Sequence, residues 1–161
     1  MVASRGDPTY TRGVGGTDAR IAGFIAKFDA PVAKLIRACR AALRKRFPTA
    51  VELVYDNYNF FVIGYCSTPR ASDCVVSLAA NAKGVGLSFY YGATLPDPHK
   101  RLSGSGSQNR FIRLPSAATL AEPEVVALID AAAKQAKVAM PATGRRTTIV
   151  QSVSAKQRPR R

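Results

Sequence analysis

Tryptophan is absent from this chain and histidine occurs once, as His99. One histidine cannot complete a usual zinc site, and the three cysteines, Cys39, Cys66 and Cys74, form no C-x-x-C pair that could help it. No stretch approaches the roughly 18 apolar residues of a membrane span, and the opening MVASRGDPTYTRGVGG has no apolar core of signal-peptide length. These absences lead us to expect a soluble cytoplasmic protein with no membrane partner, no metal and no cofactor. In that compartment the thiols are expected to be free. Cys66 and Cys74 could face each other across a hairpin, but a disulfide is the less expected state there.

Recognisable catalytic groupings are missing too. No Ser or Cys sits in a nucleophile motif, and His99 lies in a loop between Pro98 and Lys100. Glu122 and Glu124 flank Pro123 at a helix start, where acids favour the helix dipole rather than mark an acid–base pair. We expect no enzyme. Acidic residues are scarce overall, 10 against 24 Lys and Arg, for a formal charge of +14. Residues 1–16 carry +1, residues 17–136 carry +6, and residues 137–161 carry +7 with no acid. The expected organisation is a flexible lead-in over 1–17, one folded domain over 18–137, and a solvated basic arm over 138–161. A chain of this length can bury a core without staples.

What is present is a clear order of periodic segments. Asp18 can cap a short helix carrying Ile21, Phe24 and Ile25, and Asp29 with Pro31 opens a longer one. On that second helix Val32, Leu35, Ile36, Cys39, Leu43 and Phe47 share one arc, while Lys34, Arg37, Arg40 and Arg44 share the opposite one. Pro48 ends it. The pattern then changes to period 2: Val51, Leu53 and Tyr55 read as the inward set of a first strand, and Phe61, Ile63 and Tyr65 as that of a second. Strands carrying Val76, Leu78 and Ala80, then Val85, Leu87, Phe89 and Tyr91, follow. A Gly/Ser/Pro-rich connection leads to a short strand over 111–114. A last helix from Pro123 to Lys137 presents Val125, Val126, Ile129, Ala132, Ala133 and Ala136. The fold class expected is α+β, two layers, with an antiparallel sheet of about five strands packed against helices.

Three sets of residues are candidates for binding. The loop Ser103 to Ser107, with Lys100, Arg101, Ser105, Arg110 and Arg113, has backbone N–H groups and guanidinium forks suited to a small anion, although Arg110 and Arg113 lie on opposite faces of one strand and cannot both meet the same ligand. The hairpin tip offers Tyr55, Asn57, Tyr58 and Asn59 to a protein partner, beside their plain role as turn formers. Nonspecific nucleic-acid contact could use Lys34, Arg37, Arg40 and Arg44 of the helix with Arg158, Arg160 and Arg161 of the arm. No helix-turn-helix spacing or RNA-binding aromatic signature supports a dedicated nucleic-acid domain.

The order of a helix, the hairpin YDNYNFFVIGY, a strand pair, GSGSQNRFIRL and the helix PEVVALIDAAAKQA resembles the YdhG-like family over residues 18–137. The tail RTTIVQSVSAKQRPRR is similar to tails of some members. The resemblance implies an antiparallel sheet backed by helices, related to YjbR-like and type III secretion chaperone-like folds, and no established chemistry. One branch of the family resembles a frataxin-type iron chaperone, whose acidic helix and sheet would collect iron. Here the long helix carries only basic charge, and Glu52, Asp56, Asp73 and Asp97 are scattered, so iron delivery is disfavoured. The leading expectation is a non-enzymatic binding or chaperone-like module for an unknown protein or small anionic ligand, with nonspecific nucleic-acid association as the alternative.

Overall fold

The computed structural model describes residues 8–161, with side chains from Gly16 onward. Helix α1 spans Pro8–Ala26 and α2 spans Ala30–Arg46; strands β1 (Val51–Asp56), β2 (Phe61–Cys66), β3 (Cys74–Asn81), β4 (Gly84–Phe89) and β5 (Arg110–Arg113) follow, then α3 (Pro123–Gln135) and β6 (Thr147–Val153). The fold is α+β, as expected, but the sheet has six strands in the order β5-β4-β3-β2-β1-β6. It is mixed, because β6 runs parallel to β1 while every other pairing is antiparallel. Strand β6 is additional to the expected five because it is a short β-branched run inside a segment that otherwise reads as basic tail.

All three helices share one core with one face of the sheet. Ile21, Phe24, Ile25 and Phe28 come from α1 and its end, Ile36, Cys39 and Leu43 from α2, and Val125, Leu128 and Ile129 from α3; they meet Phe61, Ile63, Tyr65, Val76, Leu78, Leu87 and Phe89. Rings interlock at its centre, with Phe24 6.0 Å and Phe28 6.2 Å from Phe61, and Phe47 stacked 6.1 Å from Tyr65. On α3 the buried residue is Leu128 rather than Val126, which is exposed; at about 100° per residue, position 128 closes the arc from 125 to 132. Helix α1 starts ten residues before Asp18, so residues 8–17 belong to it rather than to a flexible lead-in; residues 1–7 of that lead-in lie outside the described residues. Gly23 sits exposed inside α1 with nothing within 4 Å of where a Cβ would lie. Gly23→Ala is therefore expected to raise stability by about 0.5–1 kcal/mol, seen as a higher urea midpoint at constant slope.

Strand β1 reverses the expected phase. Its helix-facing residues are Glu52, Val54 and Asp56, and both acids are fully buried. Leu53 instead packs on the other face with Cys66, Cys74, Val51, Tyr55 and Ile149. Two buried carboxylates are tolerable only if they are paired. Glu52 receives Arg40 bidentately (Nε to Oε2 3.1 Å, Nη2 to Oε1 3.0 Å), the Arg44 guanidinium at 3.2 Å, the Tyr65 hydroxyl at 3.0 Å and the Thr148 hydroxyl at 2.8 Å. Asp56 receives Lys27 at 2.6 Å and Arg160 at 2.9 Å. Each acid thus ties a helix to the sheet and to the C-terminal segment.

That segment is not a solvated arm. Its strand pairs with β1 from Val51↔Thr147 to Asp56↔Val153. Beyond it, Gln157 donates to the Asp56 carbonyl at 2.8 Å, Arg158 N–H to the Tyr58 carbonyl at 2.8 Å, and the Arg160 side chain is buried. Arg161 donates to the carbonyls of Lys27 and Ala26, capping the C-terminal end of α1 where free carbonyls want donors.

Candidate functional site

The second face of the sheet carries no helix. Register places Gly64 opposite Ser77, Ser77 opposite Ser88, Ala79 opposite Gly86, Gly86 opposite Arg113 and Ser88 opposite Phe111. The floor across β2, β3 and β4 is therefore made of Gly, Ala and Ser. Larger groups rise around it: Phe60 and Val62 on one side, Phe111 and Arg113 on the other, with Asn81 and Asn109 between. The result is a hollow of about 460 Å³, within the range of small-molecule sites. Phe60 and Phe111 are 43% and 39% exposed, so two phenyl rings stand in solvent beside the hollow. No acid lines it, and the Arg113 side chain makes no ion pair or hydrogen bond to any described residue. Ser88 donates to the Asn109 side chain at 2.6 Å, fixing one wall.

Most of the expected anion loop is occupied with its own structure. Arg101 donates to Glu122 at 2.7 Å and Glu124 at 2.9 Å, and His99 lies 3.6 Å from Glu124. Asp97 accepts the backbone N–H groups of Arg101 and Leu102, which shapes the turn around Lys100, itself at a φ of 52°. Arg110 is turned onto the loop carbonyls of Gly106 and Asn109. Its backbone also comes so close to Gly92 that a Cβ there would lie 2.5 Å from Arg110 Cβ, so only glycine fits. Ser105 is exposed in the same loop. Of the five residues, Arg113 alone faces the hollow.

The hairpin tip is also partly engaged. Asn57 accepts the Ser152 hydroxyl through its side chain and Arg160 through its carbonyl, and Arg158 lies 5.6 Å from the centre of the Tyr58 ring. Tyr55 lies on the uncovered face of β1, between β2 and β6, whereas Asn59 joins Phe60, Lys83 and Arg158 around a neighbouring depression. The basic set is split. Lys34 and Arg37 point outward, but Arg40 and Arg44 turn down onto Glu52, and Arg160 goes to Asp56. The expected opposite arc of α2 is corrected by these two arginines, whose side chains reach sideways to the buried Glu52 carboxylate. Arg160 is likewise corrected from an exposed phosphate contact to a buried structural partner.

No protein-family model, curated protein or solved structure matches this chain. Among the described residues no three His, Cys, Asp or Glu side chains gather into a metal-holding group, and no helix is long and apolar enough to cross a membrane. Phe60, Ser77, Ala79, Gly86, Ser88, Asn109 and Phe111 are not among the residues expected to bind, and only the folded sheet makes them a unit. The signal was available as the complementary phase of β3 and β4: small residues at every position between the large core ones.

Proposed function

We propose that this chain is a cytoplasmic, non-enzymatic binding module of the YdhG-like kind, and that its uncovered sheet face holds a small, flat, anionic ligand. The observation carrying this is the unpaired Arg113 at the wall of an acid-free hollow whose floor is small and whose rim is aromatic. Gly, Ala and Ser are weak strand formers, so such a floor does not serve sheet stability, but it lets a ring lie close to the backbone. Phe60 and Phe111 offer ring faces or edges, and a guanidinium gives a carboxylate, sulfonate or phosphate two parallel donors. The resemblance of residues 18–137 to the YdhG-like family rests on the sequence alone and implies no established chemistry, which leaves room for the same reading.

A test uses the aromatic sulfonate 1-anilinonaphthalene-8-sulfonate as probe. Saturable fluorescence enhancement is expected for the full chain. Arg113→Gln should weaken it about tenfold or more, the worth of one charge-assisted contact, and Ala79→Trp should abolish it by filling the floor. Urea midpoints near that of the parent chain would show that both variants remain folded. Equal probe binding by all three proteins would remove the hollow from consideration.

Association with single-stranded nucleic acid is the second reading, favoured by the exposed rings of Tyr58 and Phe60 standing beside Arg158 and Lys83. A labelled oligothymidine bound at physiological salt, and lost in Arg113→Gln with Arg158→Gln, would favour it; binding that vanishes with salt would return the reading to a small anion.

A further inference from the structure

A different feature lies at the end of β2. Cys66 closes that strand, Cys74 opens β3, and the register places them directly opposite each other, just past an irregularity between Tyr65 and Cys66. The Ser67 N–H donates to the Asp73 carbonyl at 3.2 Å, so the ladder bond falls beyond the pair and Cys66 and Cys74 occupy a non-hydrogen-bonded position. Opposed residues at such positions bring their Cα atoms to about 4.5 Å, inside the span of about 4.4–6.8 Å that a disulfide bridges.

The side chains converge as well. A Cβ built on Gly64 would lie 3.1 Å from Cys74 Sγ and 3.5 Å from Cys66 Sγ, so both sulfurs crowd the space above that one residue. A glycine in mid-strand weakens a sheet, and here it leaves the room the two sulfurs take. Cys74 Sγ also lies 3.1 Å from Ser77 Oγ and 3.2 Å from the Val76 carbonyl. Both cysteines are free and nearly enclosed, at 0% and 6% exposure. Cys74 is the outer one and lines a small cleft with Ser72, Tyr91 and Gln135.

We propose that Cys66 and Cys74 are a reversible redox pair that cycles between a dithiol and a cross-strand disulfide joining β2 to β3. The two sulfurs are unequal. The hydrogen bond from Cys66, against the effect of burial and with help from Ser77 and the Tyr65 backbone, lowers the Cys74 pKa; the same thiol–thiol bond, followed by burial, raises that of Cys66. Of the two sulfurs Cys74 is thus the more readily ionised, and it is the one that attacks, while Cys66 holds its proton longer. With hydrogen peroxide as oxidant, Cys74 sulfur attacks one oxygen, the O–O bond breaks, and hydroxide leaves to become water on protonation. Cys66 sulfur then attacks the resulting sulfenic sulfur, the S–O bond breaks, and the Cys66 proton leaves with that hydroxyl as a second water. Two electrons pass from the thiols to the peroxide. A dithiol reductant reverses the change by exchange. Cys39 lies in the helix core instead, its thiol pushed up to about 11 by burial, and serves as an internal control.

The full chain, reduced and freed of reductant, would be treated with hydrogen peroxide, blocked with iodoacetamide in denaturant and digested with trypsin without reduction. Arg70 lies between the two cysteines, so the expected product is peptide 47–70 linked to peptide 71–83. Titratable thiols should fall from three to one and return with dithiothreitol. Cys74→Ser should keep both remaining thiols, and Cys66→Ser should stop at a dimedone-trapped sulfenic acid on Cys74. The proposal is overturned if the count stays at three, if the linkage joins two chains or involves Cys39, or if sulfinic acid forms with no linked peptide. The peptide map needs no variant, so it decides the matter even where a serine substitution fails to fold.

Discussion

Replacing Glu52 with alanine is expected to destabilise the protein by about 3–5 kcal/mol, the range for breaking a buried ion pair by removing one partner. Its carboxylate is fully buried and accepts from Arg40, Tyr65 and Thr148, with Arg44 as a second cation. Alanine leaves the Arg40 guanidinium, 14% exposed, without its acceptor, and leaves the Tyr65 hydroxyl buried alone. Arg44, 32% exposed, can swing to water, so most of the loss falls on Arg40 and Tyr65. Changing both partners, Glu52→Leu with Arg40→Met, should recover a large part, because a well-packed apolar pair needs no desolvation of charge. Urea unfolding with a lower midpoint and unchanged slope is the expected result. A loss below about 1 kcal/mol, the level of a surface pair, would show that the network is not structural.

The same two carboxylates set the acid limb. Burial alone would raise the Glu52 pKa, but the hydrogen bond and charge of Arg40, then Thr148 and Arg44, outweigh it and hold the group below its ordinary value. Asp56 behaves alike: burial opposes, and Lys27, Gln157 and Arg160 prevail. A depressed native pKa means that the unfolded chain binds more protons between the two values, so stability falls as pH falls. The contribution is complete above the unfolded values of about 4.3 for Glu and 3.9 for Asp, and is lost below them. Glu52→Gln should therefore flatten the acid limb by up to about 1.4 kcal/mol per pH unit, the slope for one proton, when unfolding is followed between neutral pH and strongly acidic buffer.

How much of this was legible can be read residue by residue. Strands β2, β3 and β4 were plain because large apolar residues alternate with small ones, and only one phase can form a core. In β1 both phases contain apolar residues, Leu53 in one and Val54 in the other, so the choice falls to Glu52 and Asp56, and acids read as outward by default. Their inward placement follows from cations distant in sequence, Lys27, Arg40 and Arg160, which no local pattern links to them. The hollow was hidden differently. Its residues are individually unremarkable, Ser77, Ala79, Gly86 and Ser88 among them, and gain meaning only when three strands align them side by side. The loop arginines were visible as charge, but whether a guanidinium is free depends on carbonyls and acids folded against it, and this separates Arg113 from Arg101 and Arg110.

Ending the chain at Ala136 is expected to abolish cooperative folding rather than trim a tail. The cut removes β6, and with it the strand that covers the edge of β1 and places Ile149 against Leu53. It removes Thr148 from Glu52, and takes Gln157 and Arg160 from Asp56, leaving that buried carboxylate with Lys27, whose side chain is 42% exposed. The loss of the Arg160 contact alone is worth about 3 kcal/mol or more by the buried-pair rule. Adding the edge ladder and the Leu53 contact brings the deficit near the whole stability of a domain this size, about 5–15 kcal/mol. The bared β1 would also present unpaired N–H and C=O groups, a template for aggregation. Arg160→Ala in the full chain supplies the graded step, because β6 stays paired and only the Asp56 side loses a partner. Near-ultraviolet circular dichroism and urea titration should rank the proteins as parent, Arg160→Ala, truncated chain, with no sharp transition in the last. A truncated chain that unfolds at the parent midpoint would mean that the segment after α3 is dispensable. In that case the burial of Asp56 would rest on Lys27 alone.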